Sequence, residues 1–117
     1  MSAAVAAMIK KAVKLVGPKK DPGYPVFQLR SKEWDSVSKA MVKVLDEAKG
    51  HGVSKPLGKL QELAYTMSLE ESENRQLQIV ALWLTDSRIW LERYLDTKDD
   101  ALRDLLEHRG LLKKKAV

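Results

Sequence analysis

The chain has 117 residues, of which 44% are hydrophobic, and its net charge at pH 7 is +5. This length fits one domain, and the apolar share is sufficient for a hydrophobic core. Cysteine is absent, which excludes disulfides and thiol catalysis, and no apolar run has the roughly 20 residues that cross a bilayer.

Residues 2–16 are predicted to form an amphipathic helix with one apolar face and one lysine-rich face. Such a helix can lie in the interface of an anionic membrane. Packing of the apolar face on the domain's own core predicts the same pattern, and a mitochondrial targeting sequence is a third interpretation. The membrane interpretation assigns the contact to apolar Val5, Met8 and Ile9 and to basic Lys10, Lys11, Lys14, Lys19 and Lys20.

Residues 17–30 are predicted to form a connector, because their three prolines and two glycines oppose a helix. Phe27 and Leu29 are expected to attach this connector to the core. Tyr24-Pro25 followed by Leu29 matches the pattern YP-x(3)-L. It resembles the late-domain peptides by which viral matrix and Gag proteins recruit an ESCRT adaptor. A structural turn with a packed tyrosine is the alternative.

Residues 31–49 and 54–67 are predicted to form the second and third helices. Ser31 is the expected N-cap of the second helix and Gly50 its expected C-cap. If the two helices pair antiparallel, their lysines form a basic surface that can contact the phosphates of double-stranded RNA. This alternative assigns the contact to Lys39, Lys43, Lys55 and Lys59, with Lys113, Lys114 and Lys115 of the tail.

The most apolar stretch is predicted to be a long central helix, at about residues 69–95, which contains two of the three tryptophans. The spacing of Ser68 and Glu71 predicts a capping box at its start. Asp86 interrupts the apolar run and is expected to face water, since an unpaired buried carboxylate is costly. A fifth helix is predicted over residues 98–109.

The predicted fold is an all-α, single-domain bundle of about five helices around the long one. The first 20 residues contain five lysines and no acid, whereas residues 69–109 contain ten acids and six lysines or arginines. This layout suits an anionic partner at the ends of the chain or head-to-tail self-association. The expected divisions are an amphipathic helix at 1–16, a connector at 17–30, a bundle core at 31–110 and a basic tail at 111–117.

Motifs for catalysis are missing from the sequence. There is no G-x-S-x-G nucleophile motif and no glycine-rich phosphate loop, and His51 and His108 have no companions at metal-ligand spacing. We therefore expect a protein that is not an enzyme, with no cofactor, no metal and no small-molecule substrate.

Three functions remain open from the sequence. The first is a peripheral protein that associates with an anionic membrane and with itself or a partner protein. Small, basic, cysteine-poor helical bundles resemble retroviral matrix domains in class, which implies a matrix-like, viral role. The second is the double-stranded RNA module, and the third is a protein-interaction adaptor subunit. Each implies a cytoplasmic or membrane-associated intracellular protein that is not secreted.

Overall fold

Five α-helices make up most of the computed structural model, which describes residues 3–16, 25–50 and 56–113. No strand occurs within these residues, so the prediction of an all-α bundle of five helices is confirmed. A short 3-10 helix, Val26–Gln28, precedes the second helix. The α-helices are α1 (Ala3–Leu15), α2 (Ser31–Gly50), α3 (Pro56–Glu70), α4 (Arg75–Thr97) and α5 (Asp100–His108).

The antiparallel pair α3 and α4 forms the most extensive helix contact. Gln61 of α3 donates to Thr85 of α4 at 3.3 Å, and Gln78 of α4 donates to the Ser68 carbonyl at 2.9 Å. The helix α1 packs against α2 and α3 and also touches α4, while α5 packs against α4. This arrangement places a single core between α1, α2, α3 and α4.

The interior position of α4 explains its apolar composition. Leu77, Ile79, Val80, Trp83 and Leu84 are each fully buried. Burying one large apolar side chain contributes on the order of 1.5–3 kcal/mol, so this helix supplies a large share of the core's stabilisation. The prediction that the tryptophan-bearing stretch is an interior helix is confirmed for its first half.

The start of α4 was predicted wrongly. Ser68 does not cap α4, since it lies in the last two turns of α3, where its hydroxyl donates to the Tyr65 carbonyl at 2.7 Å. The N-cap is Asn74, whose side-chain oxygen accepts from the Leu77 N–H at 3.1 Å. Glu70 therefore ends α3, and Glu71 and Glu73 lie in the turn between the helices rather than in the first turns of α4.

The apolar face of α1 lies in the core. Val5 and Met8 are 5% and 8% exposed and Ile9 is fully buried, so the prediction that these three contact lipid is wrong for this fold. Their side chains pack on protein because the bundle offers the apolar surface that a membrane would otherwise supply. Within the described ranges, no helix is both long and apolar enough to cross a membrane.

The connector is attached to the core by Leu29, which is 7% exposed. This burial confirms the part of the expected anchor at Leu29, whereas the side chain of Phe27 lies outside the part that the structure describes. It also removes Leu29 from an accessible late-domain peptide, because its side chain is covered in the folded protein. Pro25 is exposed. Tyr24 lies outside the described residues.

Candidate functional site

An apolar cavity opens between α2, α3 and the second half of α4. Its volume is about 560 Å³. Concave apolar surfaces of this size are the usual places where proteins bind ligands or partner segments. We call this cavity the leucine groove, after the five leucines that line it: Leu45, Leu57, Leu91, Leu95 and Leu111.

Leu95 is the most exposed of these leucines. It lies in the last turns of α4 with 59% of its surface accessible, whereas Leu45 is 6% exposed and forms part of the core. Leu57 and Leu111 are partly buried and pack against the core. The groove therefore has a fixed apolar floor and an apolar edge that faces water.

Arg88 is fixed on the wall of the groove by several acceptors. Its Nη1 donates to Gln61 Oε1 at 2.8 Å and to Glu62 Oε1 at 3.2 Å, and its Nε donates to Glu92 Oε1 at 3.1 Å. Hydrogen bonds to Glu92 and then Glu62 raise the pKa of Arg88. A Cβ added to Gly58 would lie 3.7 Å from Arg88 Cζ, so the guanidinium lies directly above that glycine.

Acidic side chains border the open end of the groove. Glu92 lines the groove, and Asp96, which follows Leu95, lies one helical turn further along α4. Asp46 lines the opposite wall on α2, together with the basic Lys49. Arg88 neutralises one of its two carboxylate partners, Glu62 and Glu92, and Lys49 offsets Asp46, so the negative charge left at this border comes from the other partner and from Asp96.

Beside the groove, all three tryptophans surround one arginine. The guanidinium carbon of Arg109 lies 4.2 Å from the ring centroid of Trp90, 5.4 Å from that of Trp83 and 5.9 Å from that of Trp34. These distances are within the range of cation–π attraction. Arg109 Nη1 also donates to Ser87 Oγ at 2.7 Å. We call the three rings the tryptophan cage.

Asp86 is the charged neighbour of this cage. Its Oδ2 lies 4.0 Å from Arg109 Nη2, and its side chain is 37% exposed. Burial raises the pKa of Asp86, and the positive charge of Arg109 opposes that rise. Burial likewise lowers the pKa of Arg109, and Asp86 opposes that change. The expectation that Asp86 faces water is therefore met only in part, because its side chain is partly buried and lies beside Arg109.

A second cavity, of about 550 Å³, lies on the other side of Arg109, between α2 and the end of α5. His108 Nε2 lies 2.8 Å from Asp35 Oδ1 on its border, which links α5 to α2. Ser38 also lines this cavity, but its hydroxyl accepts a hydrogen bond from the Trp83 indole N–H at 2.9 Å. Within the described ranges, no group of three or more histidine, aspartate or glutamate side chains could hold a metal ion.

The lysines predicted to meet an anionic membrane are only partly described. Lys10 and Lys14 are exposed on α1. Lys11 forms an ion pair with Glu47 of α2, so part of its charge is neutralised within the protein. Lys19 and Lys20 lie outside the described residues.

The lysines predicted to meet RNA are exposed wherever the structure describes them. Lys39, Lys43, Lys59 and Lys113 are exposed, but the main neighbour of α3 is α4 and that of α2 is α1. The expected antiparallel pairing of α2 with α3 is therefore not the dominant contact. Lys55, Lys114 and Lys115 lie outside the described residues.

Sequence analysis did not identify the leucine groove or the tryptophan cage. The apolar composition of the long helix predicted burial without showing where that helix becomes exposed, and Arg109 was only the last residue of the predicted fifth helix. Comparison of the chain with protein-family models, with curated proteins and with solved structures gives no match. Function therefore has to be argued from this geometry.

Proposed function

We propose that this chain is a non-enzymatic binding module whose leucine groove takes an amphipathic α-helix, with a basic flank, from a partner protein. The observation that carries the proposal is the exposed apolar edge at Leu95, beside the acidic Glu92 and Asp96. This corresponds to the adaptor role among the functions open from the sequence.

Apolar burial supplies the attraction. A helix that lies in a groove between helices inserts side chains from one face, at positions such as i, i+3, i+4 and i+7. Leu57, Leu91 and Leu95 are partly exposed and lose contact with water when such a face covers them. Each 100 Å² of apolar surface removed from water contributes about 2.5 kcal/mol before the costs of association.

Charge selects the partner. Asp96 and the carboxylate pair Glu62 and Glu92, which carries one more negative charge than Arg88 neutralises, favour lysine or arginine beside the apolar face of the bound helix. A helix flanked by glutamate meets repulsion at the same positions. Binding of a basic helix is therefore expected to weaken as salt concentration rises.

Fluorescence anisotropy with a synthetic peptide tests this function. The probe is a fluorescein-labelled helix of about 18 residues with leucine on one face and lysine elsewhere. Its controls have a scrambled order or glutamate in place of lysine. We expect Leu95→Glu to weaken binding of the lysine peptide by about ten-fold or more.

Leu69→Glu is the matched control variant, because Leu69 is 66% exposed and lies outside the groove lining, on α3. It is expected to leave the affinity unchanged. Equal losses in Leu95→Glu and Leu69→Glu, equal binding of the glutamate peptide, or no binding of the lysine peptide would each contradict the proposed function.

Electrostatic association with an anionic membrane is the second candidate. It is supported by the exposure of Lys10 and Lys14, one turn apart on α1, while the apolar face of the same helix is buried. Contact with headgroups would then use lysines alone, without insertion, at about 1 kcal/mol for each lysine. A matrix-like role is compatible with the packing of α1 if its lysines contact the headgroups while its apolar face stays in the core.

Cosedimentation with vesicles that contain phosphatidylserine tests this second candidate. The double substitution of glutamate for Lys10 and Lys14 is expected to abolish binding at low salt, whereas Lys59→Glu on α3 is expected to have little effect. If the double variant and Lys59→Glu sediment with the vesicles to the same extent, the lysines of α1 do not contact the membrane. Double-stranded RNA is the other anionic partner considered from the sequence. Retention of duplex RNA in a filter-binding assay at low salt would support that partner.

A further inference from the structure

An apolar strip on α3 faces water. Tyr65 is 53% exposed, and Leu69, one turn further along the helix, is 66% exposed. Residues four apart lie on the same face of a helix, so the two side chains form one surface. Neither of them lines the leucine groove. Covering large apolar side chains is favourable, so this strip is a second surface at which the protein can hold another molecule.

The turn that follows this strip is acidic. Glu70, Glu71 and Glu73 are exposed, and they follow Leu69 closely in the sequence. A cavity of about 330 Å³ lies within the turn and is lined by Glu70, Glu71, Ser72, Glu73 and Asn74. The apolar strip and the three glutamates, namely Tyr65, Leu69, Glu70, Glu71 and Glu73, are called the acidic patch below.

Hydrogen bonds fix the turn against α4. The Asn74 N–H donates to the Glu71 carbonyl at 3.0 Å. The Gln78 side chain of α4 donates to the Ser68 carbonyl at 2.9 Å, which ties the end of α3 to the next helix. A surface that is already ordered loses little conformational freedom when a partner binds to it. The acidic patch is therefore presented as a preformed surface.

The opposite charge occurs on α1. Lys10 and Lys14, one turn apart, are exposed, and Leu15 beside them is 42% exposed. These three residues are called the lysine patch below. It combines positive charge with an exposed apolar side chain, whereas the acidic patch combines negative charge with exposed apolar side chains. The two patches are therefore complementary in charge and alike in carrying apolar surface that faces water.

The two patches lie at opposite ends of the bundle. Lys11, beside the lysine patch, pairs with Glu47 near the end of α2. Lys49 of α2 and Pro56 of α3 line the same cavity, so the end of α2 lies beside the start of α3. From Pro56, the 15 residues of α3 extend about 20 Å to Glu70 in the acidic patch. One copy of the chain therefore presents the two patches to different neighbours.

We infer that the acidic patch of one copy of this chain binds the lysine patch of a second copy, in a head-to-tail contact. Charge attraction orients the two copies, and mutual covering of the apolar side chains stabilises the contact. A lysine of the second copy enters the cavity in the acidic turn, and Leu15 of that copy covers Leu69. The contact does not use Leu95 or the other leucines of the leucine groove, so it is separate from the helix-binding function proposed above.

The position of the patches determines the form of the assembly. Because the contact joins two different surfaces, each pair of copies leaves one acidic patch and one lysine patch unoccupied. Further copies can bind at both ends, which gives an open chain of subunits rather than a two-fold dimer. Each contact covers few large apolar side chains and is smaller than a standard interface, so we expect a dissociation constant on the order of 100 µM.

Analytical ultracentrifugation of the intact chain tests this self-association. The measurement is made without lipid, because the second candidate function uses the same lysines. We expect the average molar mass to increase above the monomer value of 13.2 kDa as the protein concentration rises from about 10 µM to about 1 mM. Raising the NaCl concentration from about 50 mM to about 500 mM is expected to weaken the contact at least about ten-fold.

Two charge-reversal variants test which surfaces meet. One carries Lys10→Glu with Lys14→Glu, and the other carries Glu70→Lys with Glu71→Lys. Each variant retains only one intact patch and is expected to associate with itself at least about ten-fold more weakly than the wild type. A mixture of the two variants is expected to form a 1:1 complex that does not grow further, since one intact patch of each kind remains. Circular dichroism checks that both variants are folded.

Lys39→Glu with Lys43→Glu is the matched control for the lysine variant. These two exposed lysines of α2 have the same spacing as Lys10 and Lys14, and their reversal changes the net charge by the same amount. This control is expected to associate as the wild type does. An equal loss in the control and in the lysine variant would show that association depends on net charge rather than on α1, and would overturn the inference.

Other outcomes would also overturn the inference. A wild type that stays monomeric at about 1 mM and low salt has no such contact. A variant that still associates with itself as the wild type does uses a different surface, and a mixture of the two variants that forms no complex excludes the pairing of these patches. Binding of the lysine peptide without self-association contradicts this inference alone, whereas self-association without peptide binding contradicts only the proposed function.

Discussion

The indole N–H of Trp83 donates to the hydroxyl of Ser38 at 2.9 Å, which joins α4 to α2 across 45 residues of sequence. Trp83 is fully buried and Ser38 is 8% exposed. The bond gives the largest buried side chain of the core a polar partner, and it holds α2 in the position from which Val42 and Leu45 line the leucine groove.

Ser38→Ala is expected to lower the free energy of unfolding by about 1–3 kcal/mol. The substitution leaves the indole N–H of Trp83 buried without an acceptor, and an unsatisfied buried donor carries its full desolvation cost. Urea denaturation measures the loss. Ser36→Ala, at an exposed position on the same helix, is expected to change stability by less than about 0.5 kcal/mol. Similar values for both variants would show that the bond contributes little.

Asn74→Ala is expected to destabilise the protein by about 0.5–2 kcal/mol, because it removes the side-chain acceptor of the Leu77 N–H at the start of α4. Thermal and urea unfolding both report this change. Ser72→Ala, in the same turn but outside the cap, serves as the control. A larger effect from Ser72→Ala would place the start of the helix elsewhere.

Gly58→Ala is expected to stabilise the protein by up to about 1 kcal/mol. Alanine forms helix better than glycine, and the added methyl would lie 3.7 Å from Arg88 Cζ, an ordinary van der Waals distance. Gly110→Ala is expected to act in the opposite direction, because of its positive φ and the 3.0 Å approach to Val42. A melting-temperature comparison separates the two, and a loss of stability in Gly58→Ala would contradict the first expectation.

Asp86→Asn is expected to change how stability depends on pH. Burial raises the pKa of Asp86 above its usual 3.8, so the folded protein binds this proton more tightly than the unfolded chain does. The contribution of Asp86 to stability is therefore largest at low pH and decreases as pH rises through the raised pKa. Asp86→Asn lacks this decrease, so its stability relative to the wild type should increase across that interval and then remain constant.

Urea unfolding at several pH values from about 3 to about 7, where carboxyl groups and then histidine titrate, measures the effect of Asp86→Asn. Asp104→Asn, at an exposed position on α5, is the control for loss of one carboxylate. A relative stability of Asp86→Asn that decreases with rising pH would mean that the attraction of Arg109 outweighs the cost of burial.

Local patterns predicted the helices better than they predicted the contacts between them. The apolar spacing of Val5, Met8 and Ile9 identified α1, but the same spacing fits a lipid surface and a protein core. Only the packing of α1 on α2 and α3 distinguishes the two. The break between α3 and α4 was misplaced because Ser68 and Asn74 are both good cap residues, and the choice depends on tertiary packing.

The candidate site depends on residues that are far apart in the sequence. Arg109 meets Trp34 from α2 and Trp83 and Trp90 from α4, and no local motif connects these four positions. Leu91 and Leu95 continue the apolar stripe of α4 beyond the point where other helices cover it. A periodic pattern identifies an apolar face but does not show where the protein stops covering that face.

The convergence of Trp34, Trp83 and Trp90 on Arg109 has a consequence for spectroscopy, because these are the only tryptophans in the chain. The intrinsic tryptophan fluorescence of the protein therefore reports on a single region, where α2, α4 and the end of α5 meet. An intensity or wavelength change during a titration would therefore locate the event at that junction without any added label. Events confined to the lysine side of α1 would leave the emission spectrum unchanged.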